Sequence, residues 1–537
     1  MASLIANPGS SPPPAEAYLP PRERWLVAAA VMSAAVMELL DTSVVNVSLP
    51  HIAGNLSATV TETTWVLTSY LVANAIVLPI AGWLASRLGR RRLLMAAILG
   101  FIAASFLCGI APSLPLLVAF RVLQGLSGGS LQPLSRAILL ETFPREKRGQ
   151  AMSLWGAGIV TAPILAPLLG GWLTTDFSWR WVFFINLPVG LFGLTMISLF
   201  IHDPAYLRRR RGPIDGWGLG MLALGIAALQ IMLDKGQEAD WFGSHYIAVL
   251  AVLAAIMLAA FIVRESVIPH PVVHLALFRY RTFAVGACLS FVLGFVLFGS
   301  LVLLPLLMQT LLGFNALQAG AWTSPRGLGS LLFMPVAGWL IGRGFDQRRL
   351  LLAGFLVAGF GLYLFSKLNL ETGVWNLLWP QLVMGSALAF TFVPLSTMTV
   401  DPIPNPEMGF ATSITSVMRN IGASVGISFT TTLLARREQF HQTRLAARLT
   451  PQNPQLRQRL ALLGRLFRHA GLPAPAARQH ALALLYAGVL RQSILLSYLD
   501  DFFLLALVFF LVAPLVFLMR RIHYGAPPAR AAASGGE

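Results

Sequence analysis

The chain has 537 residues, of which 56% are hydrophobic and 11% charged, and its net charge is +17. Soluble domains carry about 25% charged residues, so this chain has too little polar surface for a water-soluble fold, and lipid is its solvent. The positive charge sits in loops and not along one face, which favours cationic loops at an anionic cytoplasmic leaflet over a nucleic-acid partner.

The stretch 1–24 is rich in Pro, Ser and Ala. It has no basic segment followed by a short apolar core and a cleavage site, so it reads as a disordered cytoplasmic tail and not as a secretory signal. Apolar runs long enough to cross a bilayer, about 20 residues, follow at 25–47, 63–83, 93–111, 116–138, 150–173, 180–201, 216–233, 244–263, 282–306, 319–342, 349–367, 377–400, 409–434 and 498–519. The expected fold class is an all-α membrane protein with about fourteen transmembrane helices. Cys108 and Cys288 both lie in apolar runs and read as buried small hydrophobes.

Loop charges set the expected orientation. Alternate loops hold Arg87, Arg90, Arg91 and Arg92; Arg145, Lys147 and Arg148; Arg208 to Arg211; Arg264, Arg279 and Arg281; and Arg343, Arg348 and Arg349. The loops between them hold little beyond Arg180, Lys235 and Lys367. Lys and Arg mark the cytoplasmic side, which puts both termini in the cytoplasm. The stretch 435–497 falls on the outer side despite its many arginines; long loops translocate largely regardless of charge. Its pattern suggests amphipathic helices, as an inert cap or as a docking surface for an extracytoplasmic partner.

The chain repeats itself. Gly82-Trp83-Leu84, Arg87 and Arg92-Leu93-Leu94 match Gly338-Trp339-Leu340, Arg343 and Arg349-Leu350-Leu351. Gly125 before Pro133-Leu134-Ser135 matches Gly385 before Pro394-Leu395-Ser396. Parallel repeats of six-helix halves build the major facilitator transporters. The expected division is a tail at 1–24, a first half at 25–201, a linker with two inserted helices at 202–281, a second half at 282–520 that includes the loop 435–497, and a tail at 521–537.

Charge inside a span marks function by default. Only two acids fall well inside an expected span, Glu38 and Asp41, three residues apart and so on one face of the first helix. Arg121 on the fourth helix, Arg326 on the tenth and Arg419 on the thirteenth are the basic candidates. Helix rise puts Asp41 roughly 9 Å and Arg121 roughly 8 Å from the outer ends of their helices, so the two can meet at one level. A carboxyl whose surroundings change between conformations can take a proton on one side and release it on the other, whereas Arg stays charged. If a proton gradient drives the protein, Asp41 and Glu38 are the available carriers, opposite Arg121. A static ion pair that fixes helix register is the plainer reading of either acid. Arg326 and Arg419 either bind an anionic substrate group or pair with backbone carbonyls. Arg121, Gly125, Gly128 and Gln132 share one helix face; packing accounts for the glycines, but not for Arg121 or Gln132. Pro163, Ala166, Pro167, Gly170 and Gly171 on the fifth helix suggest a bend that serves as a gate or as a passive kink. There is no phosphate-cradling loop, no metal-ligand spacing and no nucleophile elbow. An ATP-driven pump, a bound metal and an enzyme are therefore not expected.

These residues resemble the fourteen-helix drug:proton antiporters of the major facilitator superfamily, the EmrB/QacA type, over roughly 25–520. Leu40-Asp41-Thr42 through Asn46 and Leu49-Pro50 is similar to that branch's first-helix motif. Gly82 to Arg91, with Arg87, Gly89 and Arg90, resembles the superfamily's loop after helix two. Arg121-Val122-Leu123-Gln124-Gly125 resembles its fourth-helix motif, in which the Arg is implicated in proton coupling. Pro163 to Gly171 is similar to the antiporter motif, and Trp179 to Pro188 to the opening of helix six. The chain departs in having Ser86 where an Asp is usual and Ala166 where a Gly is usual. The resemblance implies drug export across a bacterial inner membrane, driven by a proton gradient with no cofactor, as two halves rock around a central cavity. Asn46, Gln124, Gln132, Arg326, Arg419 and Asn420 are the candidate cavity residues. Family members of the EmrB kind work with a periplasmic adaptor and an outer-membrane channel, which makes 435–497 the candidate contact. The competing readings are a dedicated exporter of one anionic metabolite, siderophore or fatty acid, and a non-transporting membrane receptor or scaffold.

Overall fold

The structure is a computed structural model that describes residues 20–203, 214–269, 271–450 and 452–522. The expected tails at 1–24 and 521–537 and the run Arg208 to Arg211 lie largely or wholly outside the described residues. In lipid every backbone polar group must bond internally, and an apolar run does so by coiling into a helix. The first half accordingly consists of α1 (Pro21–Asn55), α2 (Val60–Thr63), α3 (Trp65–Val77), α4 (Ala81–Leu88), α5 (Arg90–Gly109), α6 (Leu114–Gly128), α7 (Leu131–Thr142), α8 (Arg148–Asp176), α9 (Trp181–Phe184) and α10 (Asn186–Phe200). The inserted pair is α11 (Gly216–Lys235) and α12 (His245–Val267). The second half holds α13 (Arg281–Thr310), α14 (Ala316–Thr323), α15 (Pro325–Gly342), α16 (Gln347–Phe365), α17 (Val374–Val400), α18 (Met408–Ala447), α19 (Pro454–His469) and α20 (Ala474–Val512).

Several expected spans are broken into two helices. Pro79 falls in the tight turn between α3 and α4, and Pro325 opens α15 after α14; proline removes a backbone donor where the helix would otherwise continue. Among the described residues, eleven helices are long and apolar enough to cross a membrane. The other three expected spans fall on α8, on α14 with α15, and on α18. All three are helical, so each of the fourteen expected spans falls on helix.

The stretch 435–497 is helical, in keeping with its amphipathic pattern: α18 continues unbroken to Ala447, α19 follows, and α20 begins at Ala474. α18 has 40 residues and so is about 60 Å long, roughly twice the hydrocarbon thickness. α18, α19 and α20 thus form a helical hairpin that projects from the bundle. This is the extension end; the opposite end, with Arg90, Arg148 and Arg348, is the basic end. Cys108 is buried as expected, but Cys288 is exposed.

The sequence repeat is a repeat of geometry. Arg87 lies 4.9 Å over the Trp83 ring, and Arg343 lies 3.9 Å over the Trp339 ring. Gly82 presses on the backbone of Gly409 and Phe410 at the start of α18, where a side chain would collide. Its counterpart Gly338 presses on Gly149 and Ser153 at the start of α8. Each half therefore pushes its second helix into the fifth of the other, and the basic end is where the halves meet. The Gly82 amide donates to Ser413 Oγ at 3.0 Å. Arg136 donates to Thr415 Oγ1 at 3.1 Å and to the Ser396 carbonyl at 3.3 Å. Trp155 stacks on Phe392 across the same seam, with ring centres 5.6 Å apart. α12 shows the opposite character. It exposes Val249, Val252, Ile256 and Val263, an apolar face suited to lipid.

Candidate functional site

The first helix carries both expected acids, and the fold treats them differently. Asp41 is fully buried, and both of its oxygens are engaged. Oδ2 accepts from Arg121 Nη1 at 2.5 Å. Oδ1 accepts from Gln124 Nε2 at 2.9 Å and from Asn186 Nδ2 at 2.6 Å. Arg121 is equally enclosed. It donates through Nε to the Val66 carbonyl at 3.0 Å and through Nη1 to Gln124 Oε1 at 2.8 Å, and its guanidinium lies 4.2 Å over the Tyr70 ring. Ser105 completes the cluster by accepting from Asn186 at 3.0 Å. Five helices, α1, α3, α5, α6 and α10, contribute to this one knot. Taking two charges out of water is costly unless their remaining hydrogen-bonding capacity is filled; here both Asp41 oxygens and Arg121 Nε and Nη1 are bonded, while Arg121 Nη2 has no partner.

Glu38 is also buried, but it is poorly satisfied. Its Oε1 accepts from Asn74 Nδ2 at 2.8 Å, and its Oε2 has no partner. Gln132 stands beside the carboxylate, and Arg419 is within electrostatic reach of it. Gln132 Oε1 in turn accepts from Arg419 Nη2 at 3.3 Å. A line of polar side chains therefore runs from Asn74 and Glu38 through Gln132 to Arg419, out of the first half and into the second.

The other expected site residues sort as follows. Asn46 is exposed on α1 and does not join either buried group. Arg326 is not a free cation facing a pathway: it is buried inside the second half, with Nε on Gln381 Oε1 at 2.8 Å and Nη1 on Ser300 Oγ at 3.3 Å. Asn420 lines a small cavity with Ala75, Leu78, Ile226 and Gln230, between α3, α11 and α18. Arg90 pairs with Glu141, and the Arg91 amide donates to Asp203 Oδ1 at 3.0 Å. Glu141 and Asp203 are thus the acids that meet this loop, while the Ser86 hydroxyl donates to the Trp83 carbonyl at 2.7 Å. Gly89 has φ 88°, a left-handed conformation suited to glycine, and separates α4 from α5. Gly170 packs on Val44 of α1, and Gly171 has open space around it. The backbone of Pro163 and Pro167 belongs to the unbroken helix α8, and their side chains lie outside the described residues.

Four residues of consequence were not among the sequence candidates. Asn74 and Asn186 are lone amides in apolar runs and carry no periodic signal, although Asn186 falls within the Trp179 to Pro188 motif. Arg136 was missed because it sits near the end of its span, where basic residues are ordinary. Asp501, fully buried on α20 with neither oxygen partnered, corrects the expectation that acids within spans are confined to the first helix. It lies at the start of the last apolar run and so reads as a boundary residue.

The profile of the Major Facilitator Superfamily matches residues 31–427. The chain is 42% identical over 433 residues to the fatty acid resistance protein FarB of Neisseria gonorrhoeae, covering 80% of this chain and 84% of that protein. It is 36% identical over 510 residues to the multidrug export protein EmrB of Escherichia coli K12, covering 94% and 96%. The crystal structure of a double-tryptophan mutant of XylE superposes with a TM-score of 0.62 at 15% identity, over 94% of this chain and 97% of that chain. At that identity the likeness speaks to the fold alone.

Proposed function

This chain belongs to the major facilitator superfamily, and on that premise we propose that it is a proton-coupled antiporter exporting drugs or other amphipathic small molecules across a bacterial inner membrane. Its likeness to a multidrug export protein over nearly the whole of both chains supports the substrate class. The single observation that carries the coupling is the contrast between the two acids on α1. Asp41 has every oxygen engaged, whereas Glu38 has an oxygen without a partner and faces Arg419 of the other half.

The roles follow from that contrast. Asp41 and Arg121 hold the first half together as a fixed pair. Glu38 is the proton carrier. With the basic end at the cytoplasm, as the loop charges suggest, the contacts of Gly82 and Arg136 describe a conformation closed to the cytoplasm. A proton from the outside then reaches Glu38 and removes the charge that faces Arg419. The halves rock, and the proton leaves on the cytoplasmic side as substrate enters.

The test uses inverted membrane vesicles under a proton gradient. Adding a transported compound should release protons in the wild type, and this release should be lost in Glu38→Gln while the protein remains folded and inserted. Undiminished exchange in Glu38→Gln would remove Glu38 as the carrier.

A second reading, export of one anionic compound such as a fatty acid, is favoured by the similarity to FarB. Since Arg326 is held inside the second half, that reading rests on Arg419 alone. Growth of a pump-deficient host on unrelated toxic compounds separates the two: resistance to several supports the first, and resistance to fatty acids only supports the second. The projecting hairpin is the contact we assign to a periplasmic adaptor that leads to an outer-membrane channel. It carries ten arginines and one acid, Glu438, between 435 and 497. Deleting 448–473 should spare insertion and abolish co-purification of the adaptor; retained co-purification removes the assignment.

A further inference from the structure

The inserted pair is not a passive addition to the outer wall. α11 lies against α3 of the first half and α18 of the second, and it hydrogen-bonds to both. Towards the first half, Asp234 accepts from Thr68 Oγ1. Lys235 Nζ donates to Thr64 Oγ1 at 2.7 Å and lies 5.8 Å over the Trp65 ring. Towards the second half, Gln230 and Ser424 exchange hydrogen bonds at 2.8 and 3.1 Å. Trp241, just beyond α11, donates to Thr432 Oγ1 at 2.9 Å. All these contacts lie on the extension side of the Gln132 level, while the direct contacts of Gly82, Arg136 and Trp155 close the other end.

The two sets differ in strength. Hydrogen bonds to ionised groups are roughly twice as strong as those between neutral groups. The first-half set uses a carboxylate and an ammonium; the second-half set uses an amide, an indole and hydroxyls. A small cavity lies where α11 meets both halves, lined by Ala75 and Leu78 on one side and by Asn420 on the other.

We propose that α11 is a strap between the halves: it rides with the first half and holds α18 only while the basic end is closed. Rocking brings the extension ends of α3 and α18 towards each other. Gln230–Ser424 and Trp241–Thr432 must then let go, while Thr64–Lys235 persists. The strap biases the protein towards the conformation described above and shields the α3–α18 cleft from lipid. This inference rests on the rocking of the halves contained in the proposed transport function.

The experiment uses the full chain in inside-out vesicles with Cys288→Ser, leaving the buried Cys108 in place. Ser413→Cys reports opening of the basic end through reaction with a membrane-impermeant maleimide. Gln230→Cys with Ser424→Cys, joined by a short thiol-specific linker, should lower that reaction at least tenfold, and cleavage of the linker should restore it. Thr64→Cys with Lys235→Cys, joined in the same way, should leave it within twofold. Absence of linking at 230–424 overturns the contact. Equal labelling with and without the 230–424 link, or equal suppression by both links, overturns the strap. If the Ser413→Cys thiol never reacts in the unlinked chain, the rocking itself is overturned, a failure distinct from that of the strap.

Discussion

Arg121 Nη1 lies 2.5 Å from Asp41 Oδ2, with neither side chain reached by solvent. The pair joins α6 to α1, and Asn186 ties it to α10. Glu38, one helical turn away, is held differently: its Oε1 accepts from Asn74 and its Oε2 has no partner.

Breaking the Asp41 pair should therefore cost stability before it costs coupling. Asp41→Ala leaves Arg121 buried and unpaired, a loss of about 3–5 kcal/mol. Melting followed by size-exclusion chromatography in detergent should show a clear fall in melting temperature. Asp41→Asn combined with Arg121→Gln should recover part of it, since neutral partners remove the buried charge. An Asp41→Ala protein as stable as the wild type would contradict a structural role for the pair.

Arg136 bolts the basic end by reaching across to Thr415 and Ser396. Arg136→Gln should loosen that end. Removing about 1.5–3 kcal/mol of charged hydrogen bonding should raise maleimide labelling of Ser413→Cys by about tenfold or more. Unchanged labelling would show that packing alone keeps the end shut.

Gly82 meets the backbone of Gly409 and Phe410 without room for a side chain. Gly82→Val should force the halves apart at that point. Transport should fall by at least tenfold, with the melting temperature changed by only a few degrees. The substitution strains a seam between halves and not a core. Full transport by Gly82→Val would mean that the seam yields freely.

Asp215 begins α11 by accepting from the Gly218 amide at 3.1 Å, and Arg264 of α12 grips both its oxygens. The hydrogen bonds from Arg264 hold its carboxyl below the usual carboxylate range. A depressed carboxyl stabilises the fold fully above its unfolded value near 4 and loses that contribution as pH falls through the lower folded value. Asp215→Ala should cost about 1 kcal/mol at pH 7 through the lost helix cap. The gap between variant and wild type should narrow in acid. Melting at pH 7 and near pH 3 checks this; a gap that widens in acid would reverse the sign.

Much of the architecture was legible from local composition. The apolar runs located the helices, because the transfer energy of a segment depends on its own residues. The Gly-Trp-Leu repeat announced paired elements, and the structure repeats their geometry in the Arg87–Trp83 and Arg343–Trp339 contacts. The level shared by Asp41 and Arg121 followed from helix rise alone. The stretch 435–497 is polar, yet its apolar residues keep helical spacing, and α18, α19 and α20 take the helical form that this pattern suggests.

What the amino-acid sequence determined by itself was the solvent of this protein, its helices, its internal repeat and the short list of membrane charges. What only the tertiary structure decided was how each acid is surrounded. Asp41 and Glu38 look alike on one helix face. The difference lies in Asn186, 145 residues from Asp41, and in Arg419, 287 residues from the Gln132 that it touches. A carboxyl's role depends on the dipoles and charges packed around it, and packing brings those from helices far apart in the chain.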